Sequence, residues 1–325
     1  MNKLRIIKRR DFLQTVIQSA VIPPLFLSMS DSFQANEKST DLCKYDPCLG
    51  DRLWMWGHGP NSTKGLYNIP EGHGIDMADA IRSMGIPNIC VIRWLGLPAP
   101  DENAPNAPFD DYVQQFKNVK RVAWSVIDGA PQSYEQKKKW AFDLCQKMPN
   151  LVGFFLDDFY IDSAIPNQDS VQDNKQVSPA HLTLSQLEQF RREVCSLPHK
   201  TDISVVLYSH QLDPGIKYHI DLCDVVSFWT WHATNLVHLE DNFRRYRQIV
   251  PDKRTLLGVY MWDFGNGQPV TNELMKIQLE FALRKFREGE IEGLIFHCTP
   301  LCDMDLEAVN YSRKWIDENR NEVQS

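Results

Sequence analysis

The chain has 325 residues, of which 43% are hydrophobic and 24% charged, a composition typical of a folded protein with an ample core. Its formal net charge is −7, which argues against a nucleic-acid or anionic-membrane partner, because either would require a basic face. No stretch approaches the roughly 20 consecutive apolar residues of a membrane span. The composition therefore indicates a globular protein that binds neither nucleic acid nor a lipid bilayer.

The N-terminal segment has the pattern of a targeting sequence. Arg9 and Arg10 precede Phe12 and Leu13 in "KRRDFLQT", and the modestly apolar "VIQSAVIPPLFLS" follows. Paired arginines, one further residue and then Phe-Leu resemble a twin-arginine export signal. The alternative is the basic, frayed N-terminus of a cytosolic protein. We expect residues 1–40 to lie outside the fold, and the protein to be exported to the periplasm or the extracellular space.

The eight cysteines fall into two groups. Two pairs are close in sequence and could close small disulfide loops in an oxidising compartment, Cys43 with Cys48 and Cys298 with Cys302. The other four lie in apolar strands or helices, where buried thiols are expected: Cys90, Cys145, Cys195 and Cys223. No Cys-x-x-Cys spacing occurs, so we expect no structural zinc site, and no motif calls for a cofactor.

From residue 51 onward a short apolar run, a loop rich in Gly, Pro or Asp, and an amphipathic stretch follow one another repeatedly. The runs are almost continuously apolar, which is typical of parallel strands covered on both faces. The predicted strands are "RLWMWGHG" from Arg52, "NICVIRW" from Asn88, "RVAWSVID" from Arg121, "LVGFFLDDF" from Leu151, "DISVVLYSH" from Asp202, "DVVSFWTWH" from Asp224, "TLLGVYMWDF" from Thr255 and "GLIFHC" from Gly293.

The segments between these strands predict helices by their 3.6-residue periodicity, as in "GIDMADAIRSM" and most clearly in "LSQLEQFRREVCSL", "TNELMKIQLEFALRKFREG" and "DLEAVNYSRKWIDEN". The patterns after the second, fifth and sixth strands are weaker. Eight β-α units within residues 41–325 predict one (β/α)8 TIM-barrel domain, a fold that usually needs roughly 250 residues. The alternative is an open doubly wound α/β sheet, but the Gly-rich dinucleotide fingerprint of that fold is missing.

The C-terminal ends of all eight strands meet at one mouth in such a barrel. The polar insertion "IDSAIPNQDSVQDNKQVSPAHLT", after the fourth strand, predicts a long loop at the same face. The side chains at the strand ends combine carboxylates and imidazoles with indoles and phenols: Trp56, His58, Arg93, Trp94, Asp128, Asp157, Asp158, Tyr160, Tyr208, His210, Trp229, Trp231, His232, Trp262, Asp263 and His297, with Trp124 and Tyr260 slightly deeper.

This mixture predicts a carbohydrate site. Sugar rings stack their apolar C–H faces on aromatic side chains, while their hydroxyl groups require polar partners at the edges. Cleavage of a glycosidic bond needs a carboxylic acid that protonates the leaving oxygen and a second carboxylate about 5 to 9.5 Å away. Crowding of Asp157 against Asp158 in a partly desolvated mouth should raise the pKa of one of them, which would give an acid that stays protonated near neutrality.

The segment "GFFLDDFY" resembles the fourth-strand motif of the chitinase-like (β/α)8-barrel glycoside hydrolases, Gly-x-Asp-x-Asp-x-Glu. Asp157 falls on the last Asp of that motif, whereas Phe155 replaces an earlier Asp and Phe159 replaces the catalytic Glu. The chain is also similar to the α-galactosidase group, whose nucleophile is an Asp at the end of the fourth strand and whose acid ends the sixth strand, where this chain has His232. The resemblance implies a glycosidase-like barrel but matches no single family's full set.

The predicted catalytic carboxylates are Asp157 or Asp158 together with Asp263, which lies at the end of the seventh strand, where many barrel glycosidases carry their nucleophile. Strand alternation alone does not decide whether Asp157 or Asp158 faces the pore. Glu71 and Glu102, in loops after the first two strands, could replace Asp263, which could instead form a turn with the following Phe-Gly-Asn-Gly. The predicted substrate-binding residues are Trp56, His58, Arg93, Trp94, Asp128, Tyr160, Tyr208, His210, Trp231, His232, Trp262 and His297.

Two alternatives belong to other functional classes. The histidines at the ends of strands 1, 5, 6 and 8, with a carboxylate from strand 4, could hold Zn²⁺, as in the amidohydrolase-type barrels that the chain resembles in this respect. Against this, "WGHGPN" has one His where those barrels have His-x-His, and His297 stands where their eighth strand ends in Asp. A barrel that binds carbohydrate without cleaving it is the second alternative, because the Glu of the fourth-strand motif is missing. Each histidine could also be an ordinary hydrogen-bonded core residue.

Overall fold

The computed structural model describes residues 48–63, 65–71, 74–161 and 177–325. The predicted export signal, Cys43 and most of the insertion after the fourth strand lie outside these ranges. Each predicted apolar run forms a strand, and the eight strands close into a parallel barrel, so the (β/α)8 prediction is confirmed. The strands are β1 (Leu53–Gly57), β2 (Asn88–Val91), β3 (Arg121–Ile127), β4 (Leu151–Leu156), β5 (Asp202–Tyr208), β6 (Val225–Trp229), β7 (Arg254–Tyr260) and β8 (Gly293–His297).

Every strand pairs with its neighbours in sequence, and β8 pairs with β1 to close the barrel. In that last pair Trp56 lies opposite His297, so the first and last strand ends are neighbours in space. Nearly all strand residues are buried, since side chains pointing inward fill the barrel and those pointing outward meet the helices. This double coverage is the physical reason that the sequence shows continuous apolar runs instead of alternation.

A helix follows each barrel strand: α1 (Met77–Met84), α2 (Asp110–Gln115), α3 (Tyr134–Lys147), α4 (Leu184–Val194), α5 (Lys217–Ile220), α6 (Leu239–Ile249), α7 (Asn272–Arg287) and α8 (Glu307–Asn319). The ends of several helices are set by local chemistry. The carboxylate of Asp76 accepts from the backbone N–H of Ala78 at the start of α1, and Gly85 ends that helix at φ 66°. Thr183 and Gln186 form a capping box at the start of α4. The helices α2 and α5 are short, which explains their weak periodicity.

One barrel position requires glycine for steric reasons. The indole of Trp229, at the end of β6, lies directly against the backbone of Gly258 in β7. A Cβ atom on Gly258 would stand 2.0 Å from Cε3 of Trp229, far inside van der Waals contact. Because Gly258 has no side chain, there is room beside β7 for the indole of Trp229. The ring centroids of this indole and of Trp56 are 5.2 Å apart.

The cysteines of the described residues are all free thiols. The small disulfide loop considered for Cys298 and Cys302 is not formed; the thiol of Cys302 donates instead to the carbonyl of Cys298 at 3.7 Å. Cys90, Cys145 and Cys223 are buried as expected, but Cys195 is exposed, because it caps the C-terminus of α4. No helix within the described ranges is long and apolar enough to cross a bilayer.

Candidate active site

The mouth of the barrel contains a cavity of about 760 Å³. Its lining comes from the ends of six strands and from the loops that follow them, as expected for a barrel of parallel strands. Most of the predicted site residues line it: Asp157, Asp158, Trp56, His58, Trp94, Tyr160, Tyr208, His210, Trp231, His232 and His297. Four predicted residues do not line it, namely Arg93, Asp128, Trp262 and Asp263.

Asp157 follows β4 directly and is 5% exposed. Its backbone N–H donates to the carbonyl of Ile127, which continues the β3–β4 ladder for one residue beyond the strand. Burial, followed by the charges of Asp158 and Asp128, raises the pKa of the Asp157 carboxyl well above its usual range, and Lys137 opposes this shift only weakly. The carboxyl group is therefore placed to retain its proton at pH values where an ordinary aspartate is ionised.

Asp158 differs from Asp157 in its backbone conformation, its exposure and its hydrogen bonds. Its backbone lies in the left-handed region at φ 44°, a conformation that costs free energy for a residue with a side chain. Asp158 is exposed and lines the same cavity as Asp157. The phenol of Tyr208 donates to Oδ1 of Asp158 at 2.8 Å, a bond that favours the ionised form of the carboxylate. Both aspartates thus reach the cavity, one buried and one exposed.

The phenols of Tyr208 and Tyr260 form a hydrogen-bonded chain that ends at the carboxylate of Asp158. Burial, with the charges of Asp158 and Asp157, raises the pKa of Tyr208 and of Tyr260 well above the usual range, so both phenols keep their protons. Tyr260 is hydrogen-bonded to Tyr208. Because the single proton of Tyr208 goes to Asp158, the proton of Tyr260 goes to the oxygen of Tyr208, and the two phenols form a relay that ends on Asp158.

The side chains of Arg93 and Asp128 bind to groups in the wall of the barrel and do not line the cavity. Asp128 pairs with the buried Lys137 at 2.8 Å and also accepts from Ser125 and from the backbone N–H of Ala130. The guanidinium of Arg93 lies 5.2 Å from the ring centres of both Phe109 and Trp140, and its Nε donates to the carbonyl of Pro98. The strand ends do bring these charged groups to the mouth, but their side chains turn outward, toward the helices and loops.

Asp263 and Trp262 belong to a small hairpin after β7, in which Trp262–Asp263 pairs with Gln268–Pro269. Both carboxylate oxygens of Asp263 accept from Asn266, one from its backbone and one from its side chain. The residue is 1% exposed and forms the turn that its Phe-Gly-Asn-Gly context allowed. The indole N–H of Trp262 donates to the carbonyl of Tyr67 and holds the loop after β1. Neither Glu71 nor Glu102 lines the cavity.

Both ring nitrogens of His58 are hydrogen-bonded to other groups of the protein. Its Nδ1 bonds to the carbonyl of Ile92 at 3.0 Å, and its Nε2 accepts from the indole N–H of Trp56 at 3.2 Å. Burial lowers the pKa of His58 to about 4, so the ring is neutral near pH 7. Its backbone N–H and carbonyl both bond to the hydroxyl of Thr299, which fixes the end of β1 to the end of β8. His58 therefore contributes a positioned ring and no free nitrogen.

Several lining residues were not among the predicted binding residues. Trp229 and Tyr260 lie at the strand ends or just below them, whereas Tyr67, His181 and Phe264 lie in loops and carry no periodic pattern. The rings of Tyr67 and Phe264 approach to 5.3 Å, and each also contacts Trp231. This aromatic cluster forms because the β1 loop and the hairpin after β7 meet across the mouth, a contact between segments almost 200 residues apart that sequence patterns do not reveal.

The metal-dependent alternative requires a set of ligands. Within the described part of the chain, no group of three or more His, Cys, Asp or Glu side chains is placed to hold one metal ion. The nitrogens of His58 are also both occupied by protein groups.

No protein-family model matches the chain, and no curated protein matches it. Solved structures are similar to it in fold. The catalytic domain of a hyperthermophilic chitinase from Pyrococcus furiosus is 15% identical, with a TM-score of 0.47, and the match covers 84% of this chain and 97% of that one. A β-mannanase from the blue mussel Mytilus edulis is 11% identical, with a TM-score of 0.47 and coverages of 84% and 93%. A xylanase and amylase inhibitor protein is 12% identical, with a TM-score of 0.47 and coverages of 81% and 98%.

These similar structures include glycoside hydrolases and an inhibitor protein. Similarity at this level concerns the fold and does not assign an activity, because one barrel scaffold hosts many functions. The comparisons therefore resolve no family for the chain.

Proposed function

We propose that the chain is a glycoside hydrolase that cleaves glycosidic bonds in the cavity at the barrel mouth, with Asp157 as the proton donor. The observation that carries this proposal is the placement of a carboxyl with a raised pKa beside a second, exposed carboxylate, in a cavity lined mainly by aromatic rings and imidazoles. A pair of titratable groups whose environments differ in this way is typical of an acid and its charged partner in glycosidases.

In this mechanism Asp157 protonates the glycosidic oxygen as its bond to the anomeric carbon breaks, and Asp158 stabilises the positive charge that develops on the sugar ring. Water then adds to the anomeric carbon and returns a proton to Asp157. The phenol of Tyr208, itself hydrogen-bonded to Tyr260, donates to Asp158 and holds its carboxylate in place. This assignment replaces the pair expected from sequence, because the carboxylate of Asp263 forms a turn and lies outside the cavity lining. In this assignment Asp157 and Asp158 act together, since both line the cavity.

The aromatic lining supports a sugar as the bound group. The cluster of Tyr67, Trp231 and Phe264 presents ring faces and edges at the rim, and the parallel rings of Tyr208 and His210 stack at 5.4 Å beside Asp158. Such surfaces pack against the C–H faces of a sugar ring, while the phenols and imidazoles supply hydrogen bonds to its hydroxyl groups. The proposed partner is therefore an oligo- or polysaccharide.

The activity test is a screen of aryl-glycosides and polysaccharides with the wild type and with three isosteric variants. Asp157→Asn and Asp158→Asn should each lower kcat by about 100-fold or more, the usual contribution of a general acid or of a transition-state charge partner. Asp263→Asn is the matched control and should leave kcat within a few-fold of the wild type. Activity that survives both Asp157→Asn and Asp158→Asn, or that is abolished only by Asp263→Asn, would contradict the assignment.

A carbohydrate-binding barrel without turnover is the second candidate. It is favoured by Phe159, which stands where the related motif has its catalytic Glu and is completely buried, outside the cavity lining. The same screen separates the two functions when binding is measured beside hydrolysis. Saturable binding of a glycan without product formation would support the function of a carbohydrate-binding protein and contradict that of a glycoside hydrolase.

Export through a twin-arginine signal remains part of the proposal, on the basis of Arg9 and Arg10 in the sequence. Cell fractionation of the full chain and of the Arg9→Lys, Arg10→Lys variant tests it. The wild type should leave the cytoplasm and the variant should be retained there; equal distribution of the two proteins would contradict export by this route.

A further inference from the structure

His297 ends β8 at the base of the cavity and is 9% exposed. Aromatic rings surround it, with centroids at 5.7 Å for Trp56, 5.0 Å for Tyr260 and 4.6 Å for Phe264. Its Nδ1 is buried and has no hydrogen-bond partner among the described residues. Buried polar atoms in native proteins are nearly always hydrogen-bonded. Because Nδ1 has no partner among the described residues, no protein group there fixes which nitrogen of His297 carries the proton.

The neighbouring imidazole of His58 provides the contrast. The two rings approach to 5.4 Å, but His58 bonds to protein groups through both of its nitrogens, whereas Nδ1 of His297 has no such partner in the described part of the chain. Burial, and to a lesser degree the proximity of His58, lowers the pKa of His297 well below its usual range. The ring is therefore neutral near pH 7, with one nitrogen as donor and the other as acceptor.

One nitrogen of His297 is enclosed among the described residues, namely Nδ1. A ligand in the cavity that His297 lines would therefore reach the ring through its other nitrogen, Nε2. The ring faces and the enclosed edge are held by aromatic neighbours, so the imidazole cannot rotate to a new partner without disturbing their packing. A polar group entering the base of the cavity meets a fixed nitrogen.

We propose that His297 determines substrate specificity by forming a hydrogen bond through Nε2 with one ring hydroxyl of the sugar unit at the base of the cavity. The inference rests on the proposed glycosidase function and adds the class of glycan accepted: the sugar must carry a free hydroxyl at the position that meets His297, so deoxy and O-methylated analogues at that position are rejected. A site built to hydrogen-bond a hydroxyl discriminates strongly against the analogue that lacks it, because its own polar group is then left unpaired.

The test compares a parent glycoside with its series of monodeoxy analogues, modified on the ring that is cleaved. The wild type should lose about 10- to 100-fold in kcat/KM for one analogue in particular. His297→Phe keeps an aromatic ring in the cage but removes both nitrogens, so it should accept the parent and that analogue within about 3-fold of each other. His297→Gln, which restores a polar group, should recover part of the discrimination.

His238→Phe is the matched control, since it makes the same chemical change at an exposed histidine outside the cavity lining and should leave the discrimination unchanged. Histidine ¹⁵N spectra provide a second readout, in which the resonances of His297 are assigned as those missing from the spectrum of His297→Phe. Adding the parent sugar to the wild type should shift these resonances, and the deoxy analogue should not.

The outcomes distinguish this inference from the proposal beneath it. Two results would contradict the role of His297 in specificity while leaving the proposed hydrolase function intact. In the first, the wild type cleaves the parent glycoside but His297→Phe retains the full discrimination. In the second, the resonances of His297 do not respond to the sugar. If the wild type cleaves no glycan at all, the proposed function fails and this inference fails with it.

Discussion

Asp157 should make the folded protein less stable at neutral pH than its neutral isostere. Asp157→Asn preserves the shape of the protonated carboxyl but cannot ionise. In the wild type the folded state raises the pKa of Asp157, while the unfolded chain has the ordinary value near 3.8. The unfolded state therefore releases this proton more readily, and the stabilising contribution of the protonated carboxyl is lost as the pH rises above the unfolded value toward the folded one.

The magnitude follows from the same linkage. Each unit by which the folded pKa exceeds the unfolded one lowers the free energy of unfolding by about 1.4 kcal/mol at pH values above both. Because burial raises the pKa of Asp157 well above its usual range, we expect Asp157→Asn to be more stable than the wild type at pH 7 by about 1 kcal/mol or more, and the difference to approach zero near pH 4. Loss of activity should accompany this gain in stability, as is common at catalytic sites.

The assay is urea unfolding, followed by tryptophan fluorescence, at several pH values between 4 and 7. Asp252→Asn is the matched control, because it makes the same change at an exposed residue and should alter the free energy of unfolding by less than about 0.5 kcal/mol at every pH. Asp158→Asn should give a smaller gain than Asp157→Asn, since it only removes one of the charges that act on Asp157. A variant Asp157→Asn that is no more stable than the wild type at pH 7, or whose advantage does not grow with pH, would refute the reasoning.

Three further predictions follow from single contacts. His58, with a pKa lowered from 6.5 to about 4, should cost up to about 3 kcal/mol of stability as the pH falls through that window, because the unfolded chain takes up the proton first; thermal unfolding of His58→Gln should show a flatter acid limb than the wild type. Tyr208→Phe removes the donor to the carboxylate of Asp158 and should lower kcat by about 10- to 100-fold with little change in Tm; an unchanged kcat would remove the relay. Gly258→Ala should destabilise the barrel by about 3 kcal/mol or more, because its Cβ would overlap the indole of Trp229, whereas Gly153→Ala, whose Cβ would stand 3.4 Å from that of Ala123, should change stability by less than about 1 kcal/mol in the same urea titration.

The fold could be predicted from the sequence because its information is local and repeated. Each apolar run such as "NICV" or "GLIFH" is long enough for one buried strand, and each is followed by a loop and a helix, so the order of elements leaves few topologies besides a closed parallel barrel. The short helices α2 and α5 were weakly marked, because four to six residues make too few turns to show a period.

The strand ends also identified which residues gather at the mouth, but not which side chains turn inward. Asp128 and Arg93 reach the mouth by sequence position, yet Lys137 and the rings of Phe109 and Trp140 draw their charged groups into the wall. Asp263 has the sequence context both of a strand-end carboxylate and of a turn, and the hydrogen bonds from Asn266 decide in favour of the turn.

The sequence by itself determined the strands, their order and the chemical character of their ends, since burial on both faces and helix periodicity are properties of short segments. Only the tertiary structure decided that Asp157 is buried and Asp158 exposed, that Tyr208 serves the second of them, and that His297 faces the cavity without a protein partner. The physical reason is that burial, pKa and hydrogen-bond partners depend on contacts between residues far apart in the chain, which form only when the barrel closes.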